Sequence, residues 1–387
     1  MVTIQGKEQL VYKLHRALYG LKQAALAWWR SLTASMEELG FKRIYSDAGL
    51  FVHRSKDGQY VFALIYVDDA MFMGSDQRLT LSKKAAFMRK WDTRDLGDLK
   101  DGGDEKVFLS LHIRRFGDKI QIDQLPYLEK IIKRFGMENA KITKTPLPEG
   151  YQPPLVIGTP NPQLRSQFQS IIGSLLYLMI GTRPDICFAV IKLSQFSANP
   201  AQEHVDRALS IFKYLVGTKN HRLIYNGKIK EGIKAYTDSD WASDPHTRRS
   251  TAGFYTSLAS GAMSWQSKLM RTIALSSTQA EYMAVSDTGR QIEWTVNLFG
   301  EIGINLSKVP LYADSQGSIF VAYNDVVDKR MKHIEIKFHH IRQLIRNGIV
   351  EILFVPGEEN TADMLTKNLA YIKFAKFREM LGMLDTA

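Results

Sequence analysis

Two groups of carboxylates carry the chemistry this sequence could do. In the first, Asp68 and Asp69 interrupt the apolar run Phe62-Ala63-Leu64-Ile65-Tyr66-Val67-Asp68-Asp69-Ala70-Met71-Phe72-Met73-Gly74. Adjacent acids between apolar arms repel each other and resist desolvation, so such a pair is tolerated mainly where a cation compensates it. Turn chemistry is the competing reading, because Asp side chains bond nearby backbone groups and accept unusual dihedrals. On this stretch alone the two readings weigh equally. In the second group, Asp238, Glu281, Asp314 and Asp363 are spread over the last third. Four acids around one point are what two hard divalent cations require. Mg²⁺ prefers oxygen ligands, and a pair of ions about 4 Å apart activates an attacking water and stabilises the leaving oxygen of a phosphodiester. The implied reaction is metal-assisted phosphodiester hydrolysis.

The elements around these acids follow from hydrophobic period and turn residues. The apolar arms predict a β-hairpin with Asp68 and Asp69 at its turn. In the last third, residues 233–238, 251–257 and 262–265 read as strands, 279–299 as a helix, 311–313 as a strand, and 317–323 and 332–346 as helices. Residues 350–355 form a fifth strand and 362–369 begin a last helix, an order that predicts a mixed five-stranded sheet with helices on it. Asp238 then closes a strand, Glu281 opens a helix, Asp314 follows a strand and Asp363 opens a helix. Strand ends and helix starts converge on one sheet edge. Each acid also has a bland reading: Thr278-Gln279-Ala280-Glu281 has the form of a capping box, Asn360-Thr361-Ala362-Asp363 resembles one, Asp314 suits an N-cap, and Asp238 could end a strand in a turn. His333, His339 and His340 lack a cysteine partner or a His-Glu-x-x-His pattern, so contact with phosphate or simple packing outweighs zinc.

Upstream, residues 24–39 and 79–91 read as helices, 107–115 with 119–122 as a hairpin, and 127–135 as a helix. Residues 141–165 gather Pro146, Pro148, Pro153, Pro154, Pro160 and Pro162 and mark a boundary, and three helices follow to residue 216. The 387 residues are 45% hydrophobic and 24% charged, ordinary globular composition with room for two or three domains. The N-terminus lacks the layout of a secretory signal and the longest apolar run, 171–180, is too short to span a bilayer. The expectation is a soluble, intracellular chain, cytoplasmic or nuclear, with no membrane partner. Its single cysteine, Cys187, excludes an internal disulfide and a cysteine-based zinc site. Net charge is +11, yet residues 231–387 hold 17 Lys and Arg against 18 Asp and Glu, leaving 34 against 22 before them. The basic surplus lies where a surface tracking a phosphate backbone would need it.

The motifs Leu18-Tyr19-Gly20-Leu21-Lys22-Gln23, Ala27-Trp28-Trp29, Tyr66-Val67-Asp68-Asp69, Ile172-Gly173-Ser174-Leu175-Leu176-Tyr177 and Thr182-Arg183-Pro184-Asp185-Ile186 occur in that order. Ser239-Asp240-Trp241-Ala242, Leu275-Ser276-Ser277-Thr278-Gln279-Ala280-Glu281-Tyr282, Lys332-His333-Ile334 and Ala362-Asp363-Met364-Leu365-Thr366-Lys367 follow. On these residues the chain resembles the C-terminal part of the Pol polyprotein of copia-type long-terminal-repeat retrotransposons over nearly its whole length. The resemblance implies an α+β chain. Residues 1–150 correspond to a partial reverse transcriptase palm and 151–230 to a helical thumb or connection. Residues 231–387 correspond to a ribonuclease H-like α/β domain with the mixed five-stranded sheet. It makes Asp68 and Asp69 polymerase metal ligands and Lys22, Gln23, Tyr66 and His333 contacts to nucleotide or nucleic acid. Asp238, Glu281, Asp314 and Asp363 become the ribonuclease ligands, with Asp240 the alternative to Asp238. The implied cofactor is Mg²⁺, two ions in the ribonuclease site with Mn²⁺ as a substitute. The implied partners are an RNA/DNA hybrid and, in a full-length protein, upstream integrase and protease domains.

Two departures qualify the likeness. A third palm aspartate, from an Asp-x-x-x-Ala-Phe-Leu type of motif, is absent, because only 17 residues precede Leu18 and none is Asp. Loss of one metal-bridging carboxylate predicts a polymerase-defective chain. The loop Val355-Pro356-Gly357-Glu358-Glu359-Asn360 lacks a histidine that many ribonucleases H carry there, and His333 is the substitute. The expectation is therefore an N-terminally truncated fragment that hydrolyses RNA in a hybrid. The alternative is a non-enzymatic or domesticated nucleic-acid-binding remnant.

Overall fold

A computed structural model of the protein describes residues 2–4, 7–9, 14, 15, 17, 18, 20–324 and 335–386. Its internal contacts divide the chain into two units, Met1–Leu96 and Gly97–Ala387.

The first unit holds a short antiparallel pair, β1 (Val2–Ile4) and β2 (Lys7–Gln9), then helix α1 (Ala24–Glu38) and strands β3 (Lys42–Arg43), β4 (Leu50–Arg54), β5 (Tyr60–Tyr66) and β6 (Asp69–Gly74), with α2 (Gln77–Lys90) last. Strands β3 to β6 form an antiparallel sheet in sequence order. Period-2 alternation buries Val61, Ala63 and Ile65 of β5 in a core shared with Leu32 and Met36 of α1, Phe51 of β4 and Phe87 of α2. Gly40, at φ +80°, ends α1: its amide bonds the Glu37 carbonyl and the next amide returns to Met36. The β5–β6 hairpin forms where the apolar arms predict it. Its two turn residues are Val67 and Asp68, and Asp69 opens β6 opposite Tyr66.

The second unit begins with strands β7 (Glu105–Phe108), β8 (Leu111–Phe116) and β9 (Lys119–Asp123), followed by helices α3 (Leu125–Arg134), α4 (Pro162–Gly181), α5 (Cys187–Ser194) and α6 (Gln202–Gly217). Next come β10 (His221–Tyr225), β11 (Lys234–Asp240), β12 (Thr251–Leu258), β13 (Gly261–Leu269), α7 (Ser277–Glu301), β14 (Val309–Ala313), α8 (Gln316–Tyr323), α9 (Glu335–Arg346) and β15 (Val350–Phe354). A 3₁₀ turn at Thr361–Leu365, α10 (Tyr371–Met380) and β16 (Met383–Asp385) complete it. The expected mixed five-stranded sheet is present in the order β13-β12-β11-β14-β15. Its first three strands are antiparallel, and β14 and β15 run parallel to β11. Helix α7 covers one face, where Thr288 Oγ1 lies 3.0 Å from Thr237 Oγ1. On the other face Tyr236 stacks between Tyr255 and Tyr312 at 4.9 and 4.8 Å. There Tyr255 and Ala262 join Leu175, Val190 and Leu215 of the helical segment in one continuous core.

That continuous core runs across residues 150 and 230 within the second unit. Residues 97–150 belong to the second unit because β9 pairs with β10, and β10 pairs in turn with the C-terminal β16, in a second sheet ordered β16-β10-β9-β8-β7. The single strand expected over 107–115 is two, joined by Leu109 and Ser110 at φ 52° and 63°, a primed two-residue turn without the usual glycine or asparagine. The helix expected from 362 is a 3₁₀ turn, with α10 starting only at Tyr371. Residues 332–334 of the helix expected over 332–346, His333 among them, lie outside the described residues. No helix among the described residues is long and apolar enough to cross a membrane.

Candidate metal centre

Asp238 lies in the polar end of β11, two residues before its last residue Asp240, and is paired across the ladder with Gly253 of β12. A Cβ at position 253 would sit 2.7 Å from Leu365 Cβ and 2.9 Å from Thr366 Cγ2, so the glycine is what lets the 3₁₀ turn lie directly on the sheet. Asn360 fastens that turn. Its Nδ2 donates to the Thr237 carbonyl at 2.9 Å, and its Oδ1 accepts from the Ala362 amide at 3.3 Å. Thr366 Oγ1 then lies within hydrogen-bond distance of both Asp238 Oδ2 and the Asp363 carbonyl. Asp314 comes in from the end of β14. One carboxylate oxygen each from Asp238, Asp314 and Asp363 falls within 4.8 Å of the other two. Glu281, in the second turn of α7, accepts from the Ser239 amide through Oε1 at 3.2 Å and leaves Oε2 buried without a hydrogen-bond partner.

The local geometry gives the capping of α7 and α8 to residues other than Glu281 and Asp314, while Asn360 does cap the 3₁₀ turn. The N-cap of α7 is Ser276, bonded to the Gln279 amide at 3.2 Å, and Gln279 Oε1 accepts from the Leu275 amide at 2.6 Å, so the capping role falls to Ser276 and Gln279 and not to Glu281. Ser315, not Asp314, caps α8. The Asp363 carboxylate turns to Lys367 Nζ at 2.6 Å and Lys373 Nζ at 2.5 Å.

Electrostatically the cluster is short of positive charge. Burial, reinforced by Asp238 and Asp314, pushes the Glu281 carboxyl up to about 9. Burial and then the Asp363 charge push Asp238 up to about 7. Asp314 is raised by burial and by Asp363. Burial opposes charge on Lys367 as well, but the carboxylates of Asp238, Asp363 and Asp240 outweigh it and hold the ammonium above the usual lysine range. Crowded, buried carboxylates with an orphaned buried oxygen are a donor set that fits hard divalent cations.

Residues 2–149 match the family described as reverse transcriptase (RNA-dependent DNA polymerase). The chain is 34% identical over 385 residues to the Retrovirus-related Pol polyprotein from transposon TNT 1-94 of Nicotiana tabacum, a match spanning 98% of this chain and 29% of that polyprotein. It is 30% identical over 285 residues to the Putative transposon Ty5-1 protein YCL074W of Saccharomyces cerevisiae, covering 73% of this chain and 90% of that protein. The chain belongs to the copia-type retrotransposon Pol family. It corresponds to the C-terminal part of Pol and spans less than a third of the tobacco polyprotein. Among solved structures, the RNase H1 LC11 isolated from compost is similar at 19% identity and a TM-score of 0.27, over 35% of this chain and 91% of that one.

Within this Pol chain the structure gathers Asp238, Asp314 and Asp363, with Glu281 beside them. Asp240 stands two residues further along β11 and outside the trio, raised by burial and set between Lys367 and Lys192. Asp68 and Asp69 are exposed on the first unit's hairpin, as are Tyr66 beside them and Lys22 and Gln23 at the start of α1. Among the described residues no third carboxylate joins Asp68 and Asp69 in a comparable trio. His333 lies outside the described residues, while His340 Nε2 approaches Glu293 Oε2 at 3.1 Å. Lys373 and Gly253 stand in no motif of the sequence, while Asn360 enters it only as a capping residue and Thr366 and Lys367 only as part of the stretch after Asp363. Lys367 alone carries a local signal, four residues after Asp363.

Proposed function

We propose that the second unit hydrolyses the RNA strand of an RNA/DNA hybrid with divalent cations, as the ribonuclease H part of a retrotransposon reverse transcriptase. The observation that carries this reading is the convergence of three carboxylates from β11, β14 and the 3₁₀ turn on one point, next to the orphaned buried oxygen of Glu281. Asp238, Glu281, Asp314 and Asp363 would hold the cations, Mg²⁺ or Mn²⁺. Bound there, the cations supply Lewis-acid polarisation of the phosphodiester and a lowered pKa for the attacking water. The chain's own residues fix the donors. Thr366 orients Asp238, the Ser239 amide orients Glu281, and Asn360 anchors the turn that carries Asp363. The basic surplus of residues 1–230 suits a hybrid held by its phosphates. On the family likeness, Asp68 and Asp69 are polymerase metal ligands, and Lys22, Gln23 and Tyr66 face nucleotide or template.

Gel analysis of an end-labelled hybrid tests this. The expected result is cleavage of the RNA strand alone, dependent on Mg²⁺ or Mn²⁺, and reduced by about 10²-fold or more in Asp314→Asn. Undiminished cleavage by that variant would remove the assignment. Salt-sensitive binding without any cleavage would instead favour a non-enzymatic nucleic-acid-binding remnant.

A further inference from the structure

Asp363 is 2% exposed, yet both of its oxygens meet lysine ammonium groups from different elements. Lys367, just past the 3₁₀ turn, places Nζ 2.6 Å from Oδ1, and Lys373 of α10 places Nζ 2.5 Å from Oδ2. The same carboxylate is within 4.8 Å of Asp238 and Asp314. Carboxylates gathered this closely repel one another unless a counter-charge stands beside them, and the two lysines supply it. Their side chains remain 42% and 34% exposed, while the acid they meet is buried. A lysine is a point charge on a flexible four-carbon stem, without the bidentate fork by which arginine locks a carboxylate, and it can swing away.

We propose that Lys367 and Lys373 are positioning residues that serve as intramolecular cations, holding Asp363 beside Asp238 until a divalent cation displaces an ammonium from its carboxylate. Cation affinity is then set by an exchange of ammonium for metal. This rests on the reading of the carboxylates as a metal centre. It differs from a plain structural ion pair in one respect: removal of a lysine strengthens cation binding while weakening the metal-free fold.

The test is calorimetric titration of the full chain with Mn²⁺ alone, with thermal melts in the absence and presence of the ion. Lys367→Met and Lys373→Met are each expected to bind Mn²⁺ about tenfold more tightly, equivalent to ~1.4 kcal/mol. Each is also expected to melt lower than the parent without metal and to gain more from its addition. Lys373→Met, on α10, decides the matter if Lys367→Met does not fold. Unchanged or weaker Mn²⁺ binding in the folded variants would overturn the exchange. Failure of the parent chain itself to bind Mn²⁺ would overturn the metal-centre reading beneath it.

Discussion

At Glu281 burial, reinforced by the charges of Asp238 and Asp314, outweighs the hydrogen bond from the Ser239 amide and leaves one oxygen without a partner, so the folded chain favours the protonated acid. Its pKa rises from an ordinary 4.5 to about 9, and that of Asp238 from 3.8 to about 7. Between the ordinary and the raised values the folded state binds more protons than the unfolded one, so stability of the metal-free protein falls as pH rises through that window. Glu281→Gln removes the larger contribution. Thermal melts should show the variant level with the parent near pH 4 and more stable by about 1–2 kcal/mol near pH 9. A gap that shrinks with rising pH would contradict this account of the site. In the first unit, Val67 holds φ +51°, an unusual conformation for a β-branched residue. Val67→Gly should raise that unit's stability by about 1 kcal/mol in denaturant melts, and a loss instead would show that the turn is not strained. The acids themselves were legible, because carboxylates inside apolar runs or at element ends need a reason. Lys373 was not, since its role depends on where α10 returns, a tertiary fact without local signature.

Among the elements, Gly253 and the 3₁₀ turn stand or fall together. Gly253→Ala would drive a methyl group into Leu365 and Thr366, lift the turn from β12 and pull Asp363 away from Asp238. The expected cost is about 1–3 kcal/mol of stability, with hydrolysis falling further than stability explains. Chemical denaturation alongside single-turnover cleavage separates the two, and a stable variant with full activity would show that the close approach is dispensable. The long helices and the five strands of the mixed sheet were readable because their periods are sustained and their turns carry glycine or polar residues. The turn at Leu109-Ser110 was not, because the αL conformation falls on residues that rarely signal it. Strands β10 and β16 were hidden for another reason. They are five and three residues long, and β10 finds its partners at Ile122 and Met383, far along the chain on either side.

For the whole molecule, the core that joins Tyr255 and Ala262 of the mixed sheet to Leu175 and Val190 makes the helical segment a structural part of the candidate ribonuclease. A fragment of residues 231–387 would expose that face and lose β10 as partner for β16. It is expected to lack a cooperative melt by circular dichroism, whereas residues 97–387 should show one; cooperative unfolding of the shorter fragment would refute the shared core. The basic surplus of +12 upstream of residue 231 belongs to this scale too, as a property of surface rather than fold, and hybrid affinity should fall linearly with salt on logarithmic axes. The central claim is that the second unit cuts RNA in a hybrid at Asp238, Glu281, Asp314 and Asp363. It is tested most directly by cleavage of one labelled hybrid by the parent chain, Asp238→Asn and Asp363→Asn in Mg²⁺. The prediction is RNA-strand cleavage by the parent and a loss of about 10²-fold or more in both variants, with hybrid binding retained. Equal cleavage by all three proteins would contradict it.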